Sequence, residues 1–322
     1  MKVGFLCAII VLLHCHLILA LSSQDAVLVV GATGGTGKQV LNGLVQSGLK
    51  PKNLRVLSRD ASKLKFLEEQ GFGTVKADLN DCDSLANALN GCSGCYLHST
   101  VGDTKELDSN EVLAARKLAT AMSLRETPMH VVYNSAVGEE SLIGSRKQQK
   151  RAVEDLFEND FPSIDFTSLR SNFFMDPLWK KYTRPAILAG KFTFCVPPDT
   201  PIHLTAVADM GFLAGKCLQS IKTTKNRTIN VSGDVLTPVE IAAAFAKCQG
   251  TPCQHSKGTT MAIMSRLFFK SLWEEIVFLR KTRITTDIDD LKQEFGKVTS
   301  FEEFLDNSGW ADTSRTYEDL SR

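Results

Sequence analysis

The sequence predicts an α/β protein, a doubly wound parallel sheet followed by a small, mostly helical C-terminal lobe. Three observations predict it. Short β-branched runs alternate with helical periods over the first half of the chain. The first run, Ala26 to Val30 in "AVLVVGATGGTGKQV", enters a loop with glycines at 31, 34, 35 and 37. From about residue 171 the rhythm gives way to an aromatic, proline-punctuated stretch, "SNFFMDPLWKKYTRPAILAG". In order, the expected strands are 26–30, 54–58, 74–77, 94–98, 130–133 and 165–169. Between them, Val40, Leu44 and Val45, then Leu64 and Leu67, then Leu85, Ala88 and Leu89, then Val112, Ala115, Leu118, Ala119 and Met122 recur at helical spacing. Each set forms one apolar face for a sheet to cover. Further on, Thr237-Pro238-Val239-Glu240 is a capping box with proline at the first helical position, and Gly250 closes that helix. Ser300 and Glu303 open another, which ends near Gly309. The expected division is a core over about 25–170 with an interleaved lobe over 171–322.

Composition narrows the function classes. The chain has 322 residues, 43% hydrophobic, enough for one large core with an appended lobe. Thirty-seven Lys and Arg face 36 Asp and Glu, so no basic footprint for nucleic acid is present and small molecules are the expected partners. Lys2 precedes an uncharged apolar run that His14 and His16 interrupt and that ends at small residues near Ala20, Ser22 and Ser23. Residues 1–21 read as a signal peptide cleaved near Ala20, or as an uncleaved anchor, which would be the one contact with a membrane. The secretory pathway or endoplasmic reticulum is the expected destination, with a plastid reached through the endomembrane system as the alternative. Cys7 and Cys15 lie in that leader, and the other seven cysteines are an odd set that makes no complete disulfide framework. Cys92 and Cys95 form a CxxC without a second one, so no tetrahedral metal site is expected, and a thiol-disulfide role is the weakest reading. Asn226 and Asn230 begin overlapping glycosylation sequons.

The glycine loop carries the clearest chemistry. Gly31, Gly34 and Gly37 form GxxGxxG between a strand and an amphipathic helix. Glycines permit the tight turn and the close approach of a diphosphate to helix N-terminal amides, where the dipole favours anions. Gly31, Thr33, Gly34, Gly35, Thr36 and Gly37 are therefore candidate cofactor contacts. The missing GK[ST] excludes a P-loop. After the second strand comes "LSRDASK", with Arg59 where an NAD-preferring site presents a carboxylate. A guanidinium suits a 2′-phosphate, so Arg59, helped by Ser58 and Lys63, argues for NADP over NAD, with Asp60 alongside weakening the case. Asp78 and Leu79 are placed to meet adenine, the alternative for Asp78 being a turn cap. Ser99 and Thr100, at the end of the fourth strand, are placed for diphosphate or ribose, while His98 reads as a packed strand residue.

Taken together, "GATGGTGKQV", "LSRD", "ADL", "VVYNSAVG", "LRSNFFMD", "TAVADMG" and "FEEFLDNSGW" resemble the NmrA-like branch of atypical short-chain dehydrogenases/reductases, from about Ala26 to Trp310. The resemblance implies a Rossmann fold binding NADP(H) over about 25–322, with a small lobe over the nicotinamide end. Typical short-chain reductases use Ser with Tyr-xxx-Lys. Here Ser135 holds the serine place, but Arg146 stands four residues before Lys150 where the tyrosine would be, and Tyr133 does not restore the spacing. Isoflavone and benzylic ether reductases dispense with that tyrosine and place a lysine in this helix as ribose contact or proton donor, a pattern that Lys150 followed by Glu154 matches. An acid role for Lys150 requires burial or a nearby cation to lower its pKa. Lys147 and Arg151 read as a solvated basic face. Asn172, Phe173 and Phe174, with Trp179 beyond, stand where the family places the nicotinamide and substrate wall, although aromatics there are equally core formers. His203 reads as structural.

Two functions follow as expectations. One is an NADPH-dependent reductase of a small quinone-like or carbonyl substrate, working without a metal through Lys150 and Ser135. The other is a non-catalytic NADP(H)-binding redox sensor or assembly or regulatory factor, which Arg146 in place of tyrosine favours.

Overall fold

The computed structural model describes residues 26–98, 110–138, 145–281 and 284–321. Among these residues twelve strands run in chain order: β1 Ala26–Val30, β2 Leu54–Ser58, β3 Gly73–Lys76, β4 Cys92–Leu97, β5 His130–Ala136, β6 Asp165–Ser171, β7 Phe173–Phe174, β8 Lys191–Thr193, β9 Ile202–Thr205, β10 Arg227–Val231, β11 Asp234–Leu236 and β12 Gln254–Ser256. Seven of them form one parallel sheet in the order β10-β6-β5-β4-β1-β2-β3. The order reverses at β1, which pairs Val29 with Val56 of β2 on one side and with Tyr96 of β4 on the other. That reversal is the topological switch point at which α/β sheets open a ligand crevice.

The helices are α1 Gly35–Gln46, α2 Lys65–Glu69, α3 Cys82–Leu89, α4 Asn110–Ser123, α5 Ser145–Asp155, α6 Arg184–Leu188, α7 Val207–Gln219, α8 Ile221–Thr224, α9 Pro238–Gln249, α10 Thr259–Phe268, α11 Lys270–Lys281, α12 Ile288–Phe295 and α13 Phe301–Ser308. One face of the sheet buries Val40 and Leu44 of α1 with Met210, Leu213 and Ala214 of α7. The other buries Leu85 of α3, Ala115 and Leu118 of α4, and Val153 of α5. Helices on both faces explain why the central strands are almost unbroken apolar runs rather than alternating ones. On the first face, α1 and α7 meet at backbone distance. A Cβ on Gly43 would sit 1.9 Å from the Ala208 carbonyl oxygen, and one on Gly211 would sit 2.1 Å from that of Val40. Only hydrogen at both positions permits that approach.

The lobe has its own core of Trp179, Phe192, Phe245, Phe301 and Trp310. Both expected capping boxes form, at Thr237 and Ser300, and Gly250 and Gly309 end their helices at φ +69° and +67°. The lobe is threaded back into the sheet: β10, beyond residue 171, pairs in parallel with β6 as the seventh strand. Its exposure alternates as an edge strand's does, so the sequence carried no continuous apolar run to mark it. No helix among the described residues is long and apolar enough to cross a membrane. The leader of 1–21, Ser99 and Thr100 lie outside the described residues, as does the side chain of Arg146.

Candidate functional site

At the switch point Gly31 adopts φ +83°, and a Cβ there would stand 2.2 Å from the carbonyl oxygen of His98, at the end of β4. A Cβ on Gly37 would stand 2.1 Å from the oxygen of Gly31. These two glycines close the turn, and the tip of the loop at Gly34 and Gly35 is exposed while Thr33 and Thr36 are half-buried. Gly34 is the N-cap of α1, with open space around its α-carbon, no side chain to bond the first-turn amides and no acidic residue in that turn. Its own first turn thus offers the positive end of α1 no countercharge, which suits a diphosphate. A contact from residue 317 completes the surround: a Cβ on Gly35 would meet Tyr317 Cε1 at 2.9 Å and its Oη at 3.2 Å.

The end of β2 sorts its charges. Arg59 is exposed and joins no ion pair among the described residues, whereas Asp60 caps the turn at 61–63. Its Oδ1 accepts from Ser62 N at 3.0 Å and Ser62 Oγ at 2.7 Å, and these bonds, with Lys63 nearby, hold its carboxyl below the usual range. The buried Ser58 hydroxyl accepts from Asp60 N at 3.2 Å. Asp78 takes the turn-capping alternative, its Oδ1 accepting from Asn80 N at 2.9 Å, while Leu79 packs half-buried against the α3–α4 side of the core.

Beyond β5 the basic helix is not a solvated face. Lys147, Lys150 and Arg151 are all buried, and each meets an acidic partner, from distant segments for Lys147 and Lys150 and from one turn on in the same helix for Arg151. Lys150 Nζ donates to Glu111 Oε1 at 2.7 Å and to the Asn134 carbonyl at 2.9 Å, with the Tyr133 ring 4.9 Å away. Tyr133 Oη also donates to Glu111 Oε1, at 2.9 Å. Burial lowers the Lys150 pKa and Glu111 opposes it, the net direction being down. Arg151 bonds the Ser135 hydroxyl at 3.3 Å and Glu154 at 3.1 Å, and Arg170 donates to Glu154 Oε2 at 2.6 Å. Burial pushes the Glu154 carboxyl up, but Arg170, Arg151, Ser135 and Ser168 together hold it below the ordinary value. Lys147 pairs with Glu275 of α11 at 3.1 Å. Thus Lys150 and Ser135, neighbours in the expected site, belong to two separate ionic clusters, one centred on Glu111 and one on Glu154.

His98 is held neutral: burial first, then Lys150, push its pKa down to about 3, and it pairs with the Asn134 amide at 3.0 Å. Asn172 ties β6 to β10 through its amide, which donates to the Val231 carbonyl at 2.8 Å. Phe173 and Phe174 are half-buried on β7, and Phe173 stacks edge-on against Phe194. Trp179 is core, packed on Trp310 and donating to Ser308 Oγ. His203 is half-buried on β9, and burial lowers its pKa. Cys92 and Cys95 are free, buried thiols whose pKa values burial raises, the opposite of what thiol exchange needs. Sequence reasoning missed two residues. Glu111 stands four before Ala115 and seven before Leu118, a carboxylate on an apolar stripe. Tyr317 had no such marker, since only the fold brings it 282 positions back to Gly35.

The fold has counterparts among solved structures. The chain is similar to the NADPH-dependent quinone oxidoreductase of Escherichia coli, solved with NADPH, with a TM-score of 0.71 and 20% identity over 87% of this chain and 99% of that one. It is similar also to NmrA, a negative transcriptional regulator solved with NADP and with NAD, with a TM-score of 0.65 and 16% identity over 90% of this chain and 95% of that one. Identities this low establish the fold. Among curated proteins, the NAD(P)H azoreductase of Xenophilus azovorans is 24% identical over 231 residues, 71% of this chain and 76% of the azoreductase. The model of the NmrA-like family matches residues 23–321, sheet and lobe together, and the chain belongs to that family, with its NAD(P)-binding Rossmann fold.

Proposed function

We propose that the chain is an NADPH-dependent reductase of a small quinone-like or carbonyl compound. The observation that carries this reading is Lys150, a buried ammonium of lowered pKa that donates to the Asn134 carbonyl near the C-terminal end of β5. Burial supplies the lowering that an acid role requires, without a neighbouring cation. When bound, the dinucleotide supplies the hydride. The first amides of α1 bind its diphosphate, Arg59 meets the 2′-phosphate, and Lys150 holds a proton at Nζ, oriented by Glu111 and the Asn134 carbonyl. Asn172, Phe173 and Phe174 line the side from which a substrate enters. Asp60 Oδ1 is engaged by Ser62, which supports NADP over NAD, because the carboxylate that would accept from the ribose hydroxyls of NAD is occupied elsewhere.

A second reading has its own observation. Ser135 is tied to Arg151 and Arg146 replaces the tyrosine, which favours a non-catalytic NADP(H)-binding sensor or an assembly or regulatory factor. NADPH consumption against a panel of quinones and carbonyls, with wild type beside Lys150→Ala, separates the two. The reductase reading expects turnover that falls at least about a hundredfold in the variant while NADPH still binds; binding without turnover in the wild type establishes the second. We further propose entry to the secretory pathway through residues 1–21, for which a mature chain starting near Leu21 by N-terminal sequencing is the expected result and an unprocessed chain the contrary one.

A further inference from the structure

The lobe carries a surface that the dinucleotide site does not use. Ile263, Met264, Leu267, Phe268, Phe269 and Leu272, on α10, the bend and the start of α11, are each 43–67% exposed. They are six of the eleven large apolar side chains exposed among the described residues, within ten positions of one another. The helix pair is not loosely attached. Ala262 and Ile276 are buried with Cys195, Phe278 packs with Val137, and Lys147 of α5 sits 3.1 Å from the Phe278 ring centroid. Its inner face is anchored, so the outer apolar face is presented to something else.

Charge points to the occupant. Residues 257–281 hold five Lys and Arg against two Glu, a net +3 in a chain whose total is +1, so the remainder sums to −2. Both glutamates are engaged, Glu274 with Lys270 and Glu275 with Lys147. Beside the patch a cavity of about 430 Å³ has apolar walls including Val196, Ala262 and Trp273, with Lys257, Arg266 and Arg280 around it. Apolar and aromatic side chains projecting from a helix bend, with cations beside them, match the interfacial layer of an anionic bilayer. A second copy of the chain fits less well, because face-to-face pairing would bring two +3 surfaces together.

We propose that this α10–α11 face docks the protein onto the surface of an anionic phospholipid membrane, with Phe268 and Phe269 entering the headgroup layer and Arg266 and Lys270 facing the phosphates. Co-sedimentation of the full chain with vesicles tests it, comparing phosphatidylcholine alone with phosphatidylcholine containing phosphatidylglycerol. The expected result is binding to the anionic vesicles, weakened by salt, and reduced at least about tenfold both by Phe268→Ser with Phe269→Ser and by Arg266→Glu with Lys270→Glu. Each variant's fold is checked by circular dichroism and NADPH binding. Equal binding to both vesicle types overturns the proposal. So does parental binding by both variants, which would place membrane affinity elsewhere, in the N-terminal apolar segment for example. A dimer that the Phe268→Ser, Phe269→Ser pair converts to monomer, without vesicle binding in the parent, assigns the face to self-association.

Discussion

Lys150 Nζ lies 2.7 Å from Glu111 Oε1, an ion pair between two buried side chains carried 39 residues apart on α5 and α4. Removing one partner of a buried pair leaves the other charge uncompensated, so Glu111→Gln should destabilise the fold by about 3–5 kcal/mol. The pH dependence has a definite sign. Lys150 already has a folded pKa below its unfolded value, so at pH below the folded pKa the protonated lysine costs stability, and that cost is relieved as pH rises towards the unfolded 10.5. Without Glu111 the folded pKa falls further, and relief begins at lower pH. Thermal unfolding of both proteins should show the variant's deficit narrowing as pH rises towards 10; a constant deficit would mean that Glu111 does not support a charged Lys150.

Asp176 offers the opposite sign. It is buried, caps α7 by accepting from Val207 N at 2.8 Å, and burial pushes its pKa from 3.8 to about 7. A carboxyl with a raised folded pKa favours folding fully below the unfolded value, and that contribution disappears as pH rises through 4 to 7. A rise of that size corresponds to at most about 4 kcal/mol. Asp176→Asn keeps the acceptor and discards the charge, so it should match wild type near pH 4 and be more stable by about 2–4 kcal/mol at pH 8. His98 and His130, with pKa values lowered to about 3 and about 4, titrate in the same range with the reverse slope. They contribute equally to both proteins and cancel in the difference, so a difference that is flat with pH would refute the assignment.

Arg59 is the test of cofactor choice. An exposed guanidinium gains little from a neutral ribose hydroxyl, but paired bonds to a 2′-phosphate are worth about 1.5–3 kcal/mol. Arg59→Ala should therefore lower NADPH affinity by about 10- to 100-fold and leave NADH affinity within about twofold. Titrations of both nucleotides check it, and an unchanged affinity ratio would remove Arg59 from the site.

The strands β1, β2, β4 and β5 were legible because central parallel strands, buried on both faces, are written as largely apolar runs, and β3 and β6 followed from their alternation with helical periods. The seventh was not, since "RTINV" alternates as an edge strand and its place beside β6 depends on a pairing 60 residues away. The glycine loop was legible for a local reason: backbone approach distances demand glycine at Gly31 and Gly37 themselves. The basic helix misled because periodicity reports charge without its partner. Lys147 and Arg151 look solvated until Glu275, on another helix, and Glu154, one turn on, are set against them.

Gly35 and Tyr317 form a pair that neither sequence position announces, and the contact predicts a reciprocal effect. Alanine at 35 is a better helix former than glycine, so taken alone the substitution should stabilise the first turn of α1 by a few tenths to about 1 kcal/mol. In place, its methyl would stand 2.9 Å from Tyr317 Cε1 and 3.2 Å from its Oη, so the ring must shift away from the loop. Gly35→Ala should therefore destabilise the wild-type background by about 1–2 kcal/mol and cease to do so when Tyr317→Ala removes the ring. Urea unfolding of the four proteins measures that coupling, and NADPH titrations of the same set show whether the turn also shapes the diphosphate cradle. Additive effects of the two substitutions would mean that the C-terminal turn merely lies near the loop without bearing on it.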